Sequence, residues 1–266
     1  MSKGLFGGLA VLLLFAGISV ADPPAPAAAK SAAQATIADA AHSNRYVFIL
    51  FAREDDAATQ AVRQTLQYAL ARRGAQAASL EVRVTDPAEK PTVEQYGVSR
   101  APMPLVVAVA PNGAITGGFP LKLTEAQVTQ AFVSPAVAQC LKAVQARKLV
   151  LLCVQQTPTA SLPQGVRDFH ADPQYRAASE IVTVQAGDTA ESDFLKRLQV
   201  PAQMTQPVTV LLAPPGTPLG TFTGSITKEQ LIDKLKSSKS CCPGGCCPGG
   251  CCGPNGCGPK RPEGKP

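Results

Sequence analysis

The chain of 266 residues contains no tryptophan, and aromatic residues make up only 5% of it. This scarcity argues against a surface on which nucleic-acid bases stack. The net charge of +6 does not indicate nucleic-acid binding either, because four of the basic residues lie near the C-terminus: Lys239, Lys260, Arg261 and Lys265. The other basic residues are spread too evenly for a nucleic-acid footprint. We therefore expect no nucleic-acid partner.

Histidine is almost as scarce. His42 and His170 are the two histidines of the chain, and they stand alone in unlike contexts. Neither matches a metal-ligand or triad pattern. A phosphate-binding loop, a nucleophile elbow and a dinucleotide-binding glycine pattern are also missing from the sequence. We therefore expect no catalytic residues of these kinds. Apolar residues make up 45% of the chain, which is enough to form a folded core.

The N-terminus has the features of an export signal. Lys3 supplies a positive charge, residues 5–20 form an apolar stretch, and Ser19-Val20-Ala21 is a small-residue motif of the kind that precedes a cleavage site. An uncleaved anchor is the alternative, but the apolar run is shorter than the ~20 residues of a usual membrane span. We predict a signal peptide over residues 1–21 and a Pro/Ala linker over residues 22–30. The location is then the periplasm or cell envelope, without membrane attachment after cleavage.

The rest of the chain repeats itself with an offset of 103 residues. The apolar residues 46–51 align with residues 149–154, and Pro104 aligns with Pro207. The same offset places Ser31 on Ser134 at the start of each copy. Two copies indicate tandem domains and not a solenoid. We predict domain 1 over residues 31–133 and domain 2 over residues 134–236.

Each copy alternates helical and strand patterns. Residues 46–52 form a continuous apolar run, which is typical of a strand buried on both faces. Asp56 can cap the helix that follows, and Thr124 with Gln127 forms a capping box for the last helix. The predicted order is α-β-α-β-α-β-β-α, an α/β fold.

That order resembles the thioredoxin-like superfamily. Residues 104–113 (PLVVAVAPNG) are similar to the family's segment that begins with a cis-proline, continues as a strand and ends in a tight turn. Residues 207–216 (PVTVLLAPPG) keep the same spacing. The resemblance implies two domains, each with a central sheet flanked by helices, and cis bonds before Pro104 and Pro207.

The resemblance also implies a C-x-x-C pair where the helix after the first core strand begins, because the helix end lowers the thiol pKa. Asp55 and Ala58 are the expected positions in domain 1, and neither they nor the matching loop of domain 2 contain cysteine. Cys140 and Cys153 fall on a predicted helix and strand, where we expect buried, inert thiols. Three neighbouring carboxylates lie in the first loop, and we interpret them as a solvated helix N-terminus and not as a hard-cation site: Glu54, Asp55 and Asp56. We expect no enzymatic activity from the folded domains.

Residues 237–266 form a low-complexity tail with eight glycines and six prolines, which we expect to be disordered. It carries seven cysteines: Cys241, Cys242, Cys246, Cys247, Cys251, Cys252 and Cys257. Dense thiolates on a flexible chain suit Cu(I) or Zn. Disulfides are the second interpretation. The Cα atoms of neighbouring cysteines are ~3.8 Å apart, which is too short for an unstrained disulfide, so bonds between pairs or between chains are favoured. Because the number of tail cysteines is odd, at least one thiol is left for another molecule. A redox relay through the cysteine pairs is the third.

Together these features predict an exported, non-catalytic, thioredoxin-like binding or scaffold protein. Its tail would bind soft metal ions or form disulfides with protein partners, including further copies of the chain. The domain surfaces are a second place for partners. The alternative is a periplasmic thiol-disulfide oxidoreductase that uses the tail cysteine pairs.

Overall fold

The computed structural model describes residues 31–157, 160–201 and 203–239. This part of the chain contains two four-stranded sheets, one in each copy of the repeat. The signal peptide, the Pro/Ala linker and the cysteine-rich tail lie outside the described residues.

Domain 1 follows the order expected from the sequence. Its elements are α1 (Ala32–His42), β1 (Tyr46–Ala52), α2 (Ala57–Ala71), β2 (Ala77–Arg83), α3 (Lys90–Gln95), β3 (Leu105–Val109), β4 (Ile115–Pro120) and α4 (Glu125–Gln130). The predicted caps are present: Asp56 caps α2, and Thr124 with Gln127 forms the capping box of α4. These caps satisfy backbone N–H groups that a helix leaves unpaired in its first turn.

Domain 2 repeats the order with one additional short helix. Its elements are α5 (Pro135–Gln145), β5 (Leu149–Gln155), α6 (Gln164–Ala171), α7 (Pro173–Arg176), β6 (Ser179–Gln185), α8 (Ser192–Arg197), β7 (Val208–Ala213), β8 (Thr217–Thr223) and α9 (Lys228–Lys239). The final helix α9 has 12 residues, whereas its counterpart α4 has 6.

The two sheets share one topology. In domain 1 the strand order is β2-β1-β3-β4, with β1 parallel to β2 and antiparallel to β3. The corresponding order in domain 2 is β6-β5-β7-β8. Helices α1 and α3 contribute to the core on one face of the first sheet, and α2 with α4 contributes to the core on the other. Burial on both faces explains why the central strand β1 is an unbroken apolar run.

The offset between the copies changes along the chain. It is 103 residues between α1 and α5, but 102 residues between α3 and α8. The second copy is therefore one residue shorter between β5 and β6, and it regains that residue before β7. The offset of 103 predicted from the sequence holds at both ends of the repeat and not in its middle.

One of the two predicted cis-prolines is present. The Met103–Pro104 bond is cis, whereas the Gln206–Pro207 bond is not among the cis bonds of the described residues. The prediction for Pro207 is therefore wrong. An X-Pro bond prefers trans by ~0.5–1 kcal/mol unless contacts select cis. Met103 packs against the core of domain 1, whereas the side chain of Gln206 is exposed.

Positive φ angles recur at matching positions of the two copies. Gly97 has φ +63°, and its counterpart Gln199 has φ 58°. Gly224 has φ +80°, and its counterpart Leu121 has φ 67°. At each of these turns one copy uses glycine, which adopts this conformation without steric cost, and the other uses a residue with a side chain.

The two domains pack against each other through α5. The side-chain amide of Gln145 on α5 pairs with both backbone groups of Ile115 on the edge strand β4, at 2.9 and 2.6 Å. Within domain 1, the Tyr46 hydroxyl donates to the carbonyl of Val133 at 2.8 Å and accepts from its N–H at 3.2 Å, just before α5 begins. A small apolar cluster joins Ala138 of α5 to Ala110 and Ala114 of domain 1.

Candidate functional site

The cysteines that are expected to bind metal ions or to form disulfides lie outside the described residues. All seven tail cysteines follow Lys239, which is the last residue that the structure describes. The prediction that they bind metal or form disulfides therefore rests on the sequence. The structure does describe the place where the family's catalytic pair would lie, and the two remaining cysteines.

The N-terminus of α2 is the position at which a C-x-x-C pair would lie in domain 1. Asp56 is the N-cap, and its carboxylate accepts a hydrogen bond from the Thr59 N–H at 2.8 Å. This bond lowers the pKa of Asp56. The carboxylate of Asp56 thus occupies the first turn of α2, directly after Asp55 and beside Ala58, the two positions expected for the pair.

The neighbouring carboxylates do not converge on a shared point. Asp55 accepts from the Arg63 guanidinium at 2.7 Å, and Glu81 of β2 accepts from the same group at 2.9 Å. Asp56 is used as the helix cap. Within residues 31–157, 160–201 and 203–239, no group of three or more His, Cys, Asp or Glu side chains is placed to hold a metal ion. The arrangement supports the interpretation of this loop as a helix N-terminus.

The matching region of domain 2 has a different shape. Eight residues separate β5 from α6, whereas four separate β1 from α2. Helix α6 has 8 residues where α2 has 15, and its N-cap Pro163 makes no side-chain cap bond. The loop is held by Gln156, whose amide donates to the Met204 carbonyl. The loop that leads from β5 to the N-terminus of α6 is thus twice as long as the loop that leads from β1 to α2.

Cys140 and Cys153 are free thiols inside domain 2, as expected from the sequence. Their exposed fractions are 6% and 1%. Cys140 on α5 and Cys153 on β5 belong to separate core clusters of the domain. Burial raises the pKa of Cys140 to about 12 and that of Cys153 to about 11. Because the thiolate is the reactive form, neither side chain is a nucleophile near neutral pH.

The two histidines have unrelated surroundings. His42 ends α1 and is exposed. The Nδ1 of His170 lies 3.0 Å from the Ser179 hydroxyl, which itself donates to the Tyr175 carbonyl at 2.8 Å. Since that hydroxyl has a single proton, Nδ1 of His170 is the donor to Ser179. The interaction joins α6 to β6 and is structural.

A pair of acidic residues that sequence analysis missed anchors the first helix of each domain. Glu191 is 3% exposed, and its carboxylate accepts from the Ala136 N–H at 2.8 Å and from the Ser134 hydroxyl. Its counterpart Glu89 accepts from the Ala33 N–H at 3.2 Å. The sequence contains a sign of this arrangement, because Asp-Pro-Ala-Glu at 86–89 and Asp-Thr-Ala-Glu at 188–191 match between the copies.

Comparison with solved structures gives distant matches. The chain is 16% identical to the NTD_N/C domain of the alkylhydroperoxide reductase AhpF from Enterococcus faecalis, with 76% of this chain and 96% of that chain covered and a TM-score of 0.27. It is 12% identical to the first two thioredoxin domains of Saccharomyces cerevisiae Eps1p (80% and 99% covered, TM-score 0.27). The zinc-bound form of human ERp44 is 11% identical (77% and 57% covered, TM-score 0.32).

Two central four-stranded sheets flanked by helices, and the cis bond before Pro104, are features that the sequence resemblance implied. Each domain has a thioredoxin-like fold. No family model matches the chain, and no curated protein is similar to it in sequence. In the described ranges, no helix is long and apolar enough to cross a membrane.

Proposed function

We propose that this chain is an exported binding or scaffold protein whose thioredoxin-like domains carry a thiol-rich tail. The observation that supports this most directly is the distribution of cysteine: seven of nine lie in residues 241–257, and the other two are buried. The thioredoxin-like domains thus lack an accessible thiol of their own. The tail concentrates the thiol chemistry in one short segment.

The composition of the tail determines the chemistry that it can perform. Cysteine thiolates are soft ligands and prefer Cu(I) and Zn. Paired cysteines separated by Pro-Gly-Gly do not match the spacing of a zinc ribbon, so a thiolate cluster of the metallothionein kind is the better description. In an oxidising compartment the same residues form disulfides with partners, because bonds inside an adjacent pair are strained.

The domains provide a stable base for the tail. The helix that leads into it, α9, has Leu231 fully buried and Leu235 8% exposed in the core of domain 2. An ion pair between Lys228 and Asp172 holds the beginning of α9 against the loop between α6 and α7. Because α9 is held by these contacts, removal of residues 241–266 is expected to leave the melting temperature of the domains nearly unchanged.

Two measurements on the mature chain test the proposal. Under reducing conditions it is expected to bind more than one equivalent of Cu(I) or Zn, because seven thiolates can bridge several ions. Under oxidising conditions it is expected to form multimers that dithiothreitol separates. The matched control replaces all seven tail cysteines by serine and keeps Cys140 and Cys153. If this variant still binds the metal and still forms multimers, the tail is not the functional segment.

Insulin reduction separates the scaffold from the alternative, an oxidoreductase that uses tail cysteine pairs. The assay compares the mature chain with a chain that ends at Lys236. We expect both to match the background rate of dithiothreitol alone. A rate above background that disappears when the tail is removed would establish the oxidoreductase instead.

A further inference from the structure

An open groove of about 890 Å³ lies between the two domains. One wall comes from domain 1 and the segment that follows α4, and the other comes from α5 and α8 of domain 2. Its apolar lining consists of Phe132, Val133, Val137, Leu141 and Phe194. All five side chains are only partly buried, so apolar surface remains accessible within the groove. Clefts between domains are frequent sites for small ligands, and the volume lies within the usual range of ~300–1,000 Å³.

Positive charge lies beside this apolar surface. Lys196 and Arg197 end α8 and line the groove, and Asp193 is the one acidic residue among its lining residues. The Asp193 carboxylate is 3.3 Å from Lys196 Nζ. Arg197 donates through Nε to the Asp193 backbone carbonyl, and no carboxylate within the described part of the chain forms an ion pair with it. The net charge of the lining is therefore positive, and the terminal guanidinium nitrogens of Arg197 remain available to an anion.

The duplication shows that the fold does not require this combination. The same helix pair in domain 1, α1 with α3, presents small or polar side chains and an acidic one at the matching positions. Gln34 there donates to Gln95 at 3.0 Å. The matching positions of domain 1 and domain 2 are Gln34 and Val137, Ala38 and Leu141, Thr92 and Phe194, Glu94 and Lys196, Gln95 and Arg197. Relative to domain 1, domain 2 has larger or more apolar side chains at three of these positions, a cation in place of an acid at one, and a cation in place of an amide at one.

Packing between the domains explains part of this difference, because Val133 and Leu141 also contact the apolar cluster at the interface. It does not explain the change from Glu94 and Gln95 to Lys196 and Arg197, whose side chains are exposed. An exposed pair of cations beside accessible apolar surface is complementary to a molecule with an apolar body and an acidic end.

We infer that this groove binds an amphipathic carboxylate, a molecule with one acidic head and an aliphatic chain. The chain lies against Val137, Leu141 and Phe194, and removal of their surface from water favours binding. The head accepts hydrogen bonds from Arg197, whose planar fork matches a carboxylate. This site is separate from the tail and requires none of its cysteines.

Calorimetric titration of the mature chain with dodecanoate, below its micelle concentration, tests the inference. We expect saturable binding with one dodecanoate per chain. Dodecyltrimethylammonium, which has the same chain length and the opposite charge, is expected to bind at least tenfold more weakly. Arg197→Gln, which introduces the residue found at the matching position of domain 1, is expected to weaken dodecanoate binding about tenfold or more, since bonds to charged groups are the stronger ones.

Three further variants complete the design. Val137→Gln introduces the polar residue of domain 1 into the apolar wall and is expected to weaken binding without changing the melting temperature greatly. Glu94→Gln, on the matching surface of domain 1, should leave the affinity unchanged, and so should the variant with seven tail serines. If Arg197→Gln fails to fold, Lys196→Gln takes its place. Equal binding of the two detergents, full affinity in the Arg197 or Lys196 variant, or no binding of dodecanoate would overturn the inference.

Discussion

Replacement of Glu191 by alanine should destabilise domain 2 more than any surface substitution. The Glu191 carboxylate is 3% exposed and accepts from the Ala136 N–H at 2.8 Å and from the Ser134 hydroxyl. Alanine leaves the buried Ala136 N–H without its acceptor, whereas the part-buried Ser134 hydroxyl can turn to water. An unsatisfied buried donor costs ~1–3 kcal/mol, so the loss of unfolding free energy should be of this size.

The duplication provides the matched control. Glu89 makes the corresponding bond to the Ala33 N–H at 3.2 Å, but it is only half-buried. Water can replace a carboxylate there, so Glu89→Ala should cost about 0.5–1.5 kcal/mol. The two donors bond to different oxygens of Glu191, so Glu191→Gln keeps one acceptor and should fall between the two alanine variants.

Urea unfolding followed by far-UV circular dichroism measures these differences, which suits a chain without tryptophan. Amide exchange at Ala136 supplies a local measurement, because the loss of its acceptor should accelerate exchange at that position first. The explanation is wrong if Glu191→Ala unfolds within 0.5 kcal/mol of the unsubstituted chain, or if Glu89→Ala is the more damaging change.

Three further outcomes are expected. Phe169→Ala should cost about 3–5 kcal/mol in urea unfolding, because the ring is fully buried. In the variant with seven tail serines, iodoacetamide at pH 8 should modify Cys140 and Cys153 only after unfolding, since their pKa values are near 12 and 11; labelling of the folded chain would contradict this. Cysteines introduced at Asp55 and Ala58 together, at the exposed start of α2, should give insulin reduction above background; a rate equal to background would contradict the placement of the pair.

The cap of α2 makes a separate prediction about pH. The Thr59 N–H lowers the pKa of Asp56 in the folded state. Stabilisation by this cap is therefore fully present above the unfolded pKa of Asp56 and is lost as the pH falls through the lower folded value. Asp56→Asn keeps an oxygen acceptor and should remove this pH dependence; acid unfolding curves of the two chains test it.

The buried strands could be predicted closely from the sequence, and the edge strand β2 could not. The apolar runs at residues 46–52 and 105–109 predict strands whose bounds agree with those of β1 and β3, because both strands are buried on both faces. The pattern of residues 80–84 predicts a strand there, whereas β2 covers Ala77–Arg83. It lies at the sheet edge with alternating exposure, and its small first residues give no clear strand pattern.

The features missed from the sequence depend on residues distant in the chain. The isomer of an X-Pro bond is selected by its tertiary surroundings, which a short motif such as that at Pro207 does not contain. Glu191 has the sequence character of a surface acid, and its burial follows from the way α5 begins beside it. The groove between the domains needs Phe132 and Phe194 brought together from two copies. The order of elements, in contrast, is local and repeated, and the sequence predicts it well.

At the recurring left-handed turns, the glycine of one copy identifies a substitution that could stabilise the other copy. Leu121 and Gln199 adopt a backbone conformation that costs a residue with a side chain ~1–2 kcal/mol, and the opposite copy has glycine at the matching position. Leu121 is 53% exposed and Gln199 is exposed, so little buried surface would be lost. Leu121→Gly and Gln199→Gly should therefore raise thermal stability, although the greater freedom of glycine in the unfolded chain offsets part of the gain. Because the chain is duplicated, a more stable variant of either domain can be designed from the residues that the other domain has at matching positions.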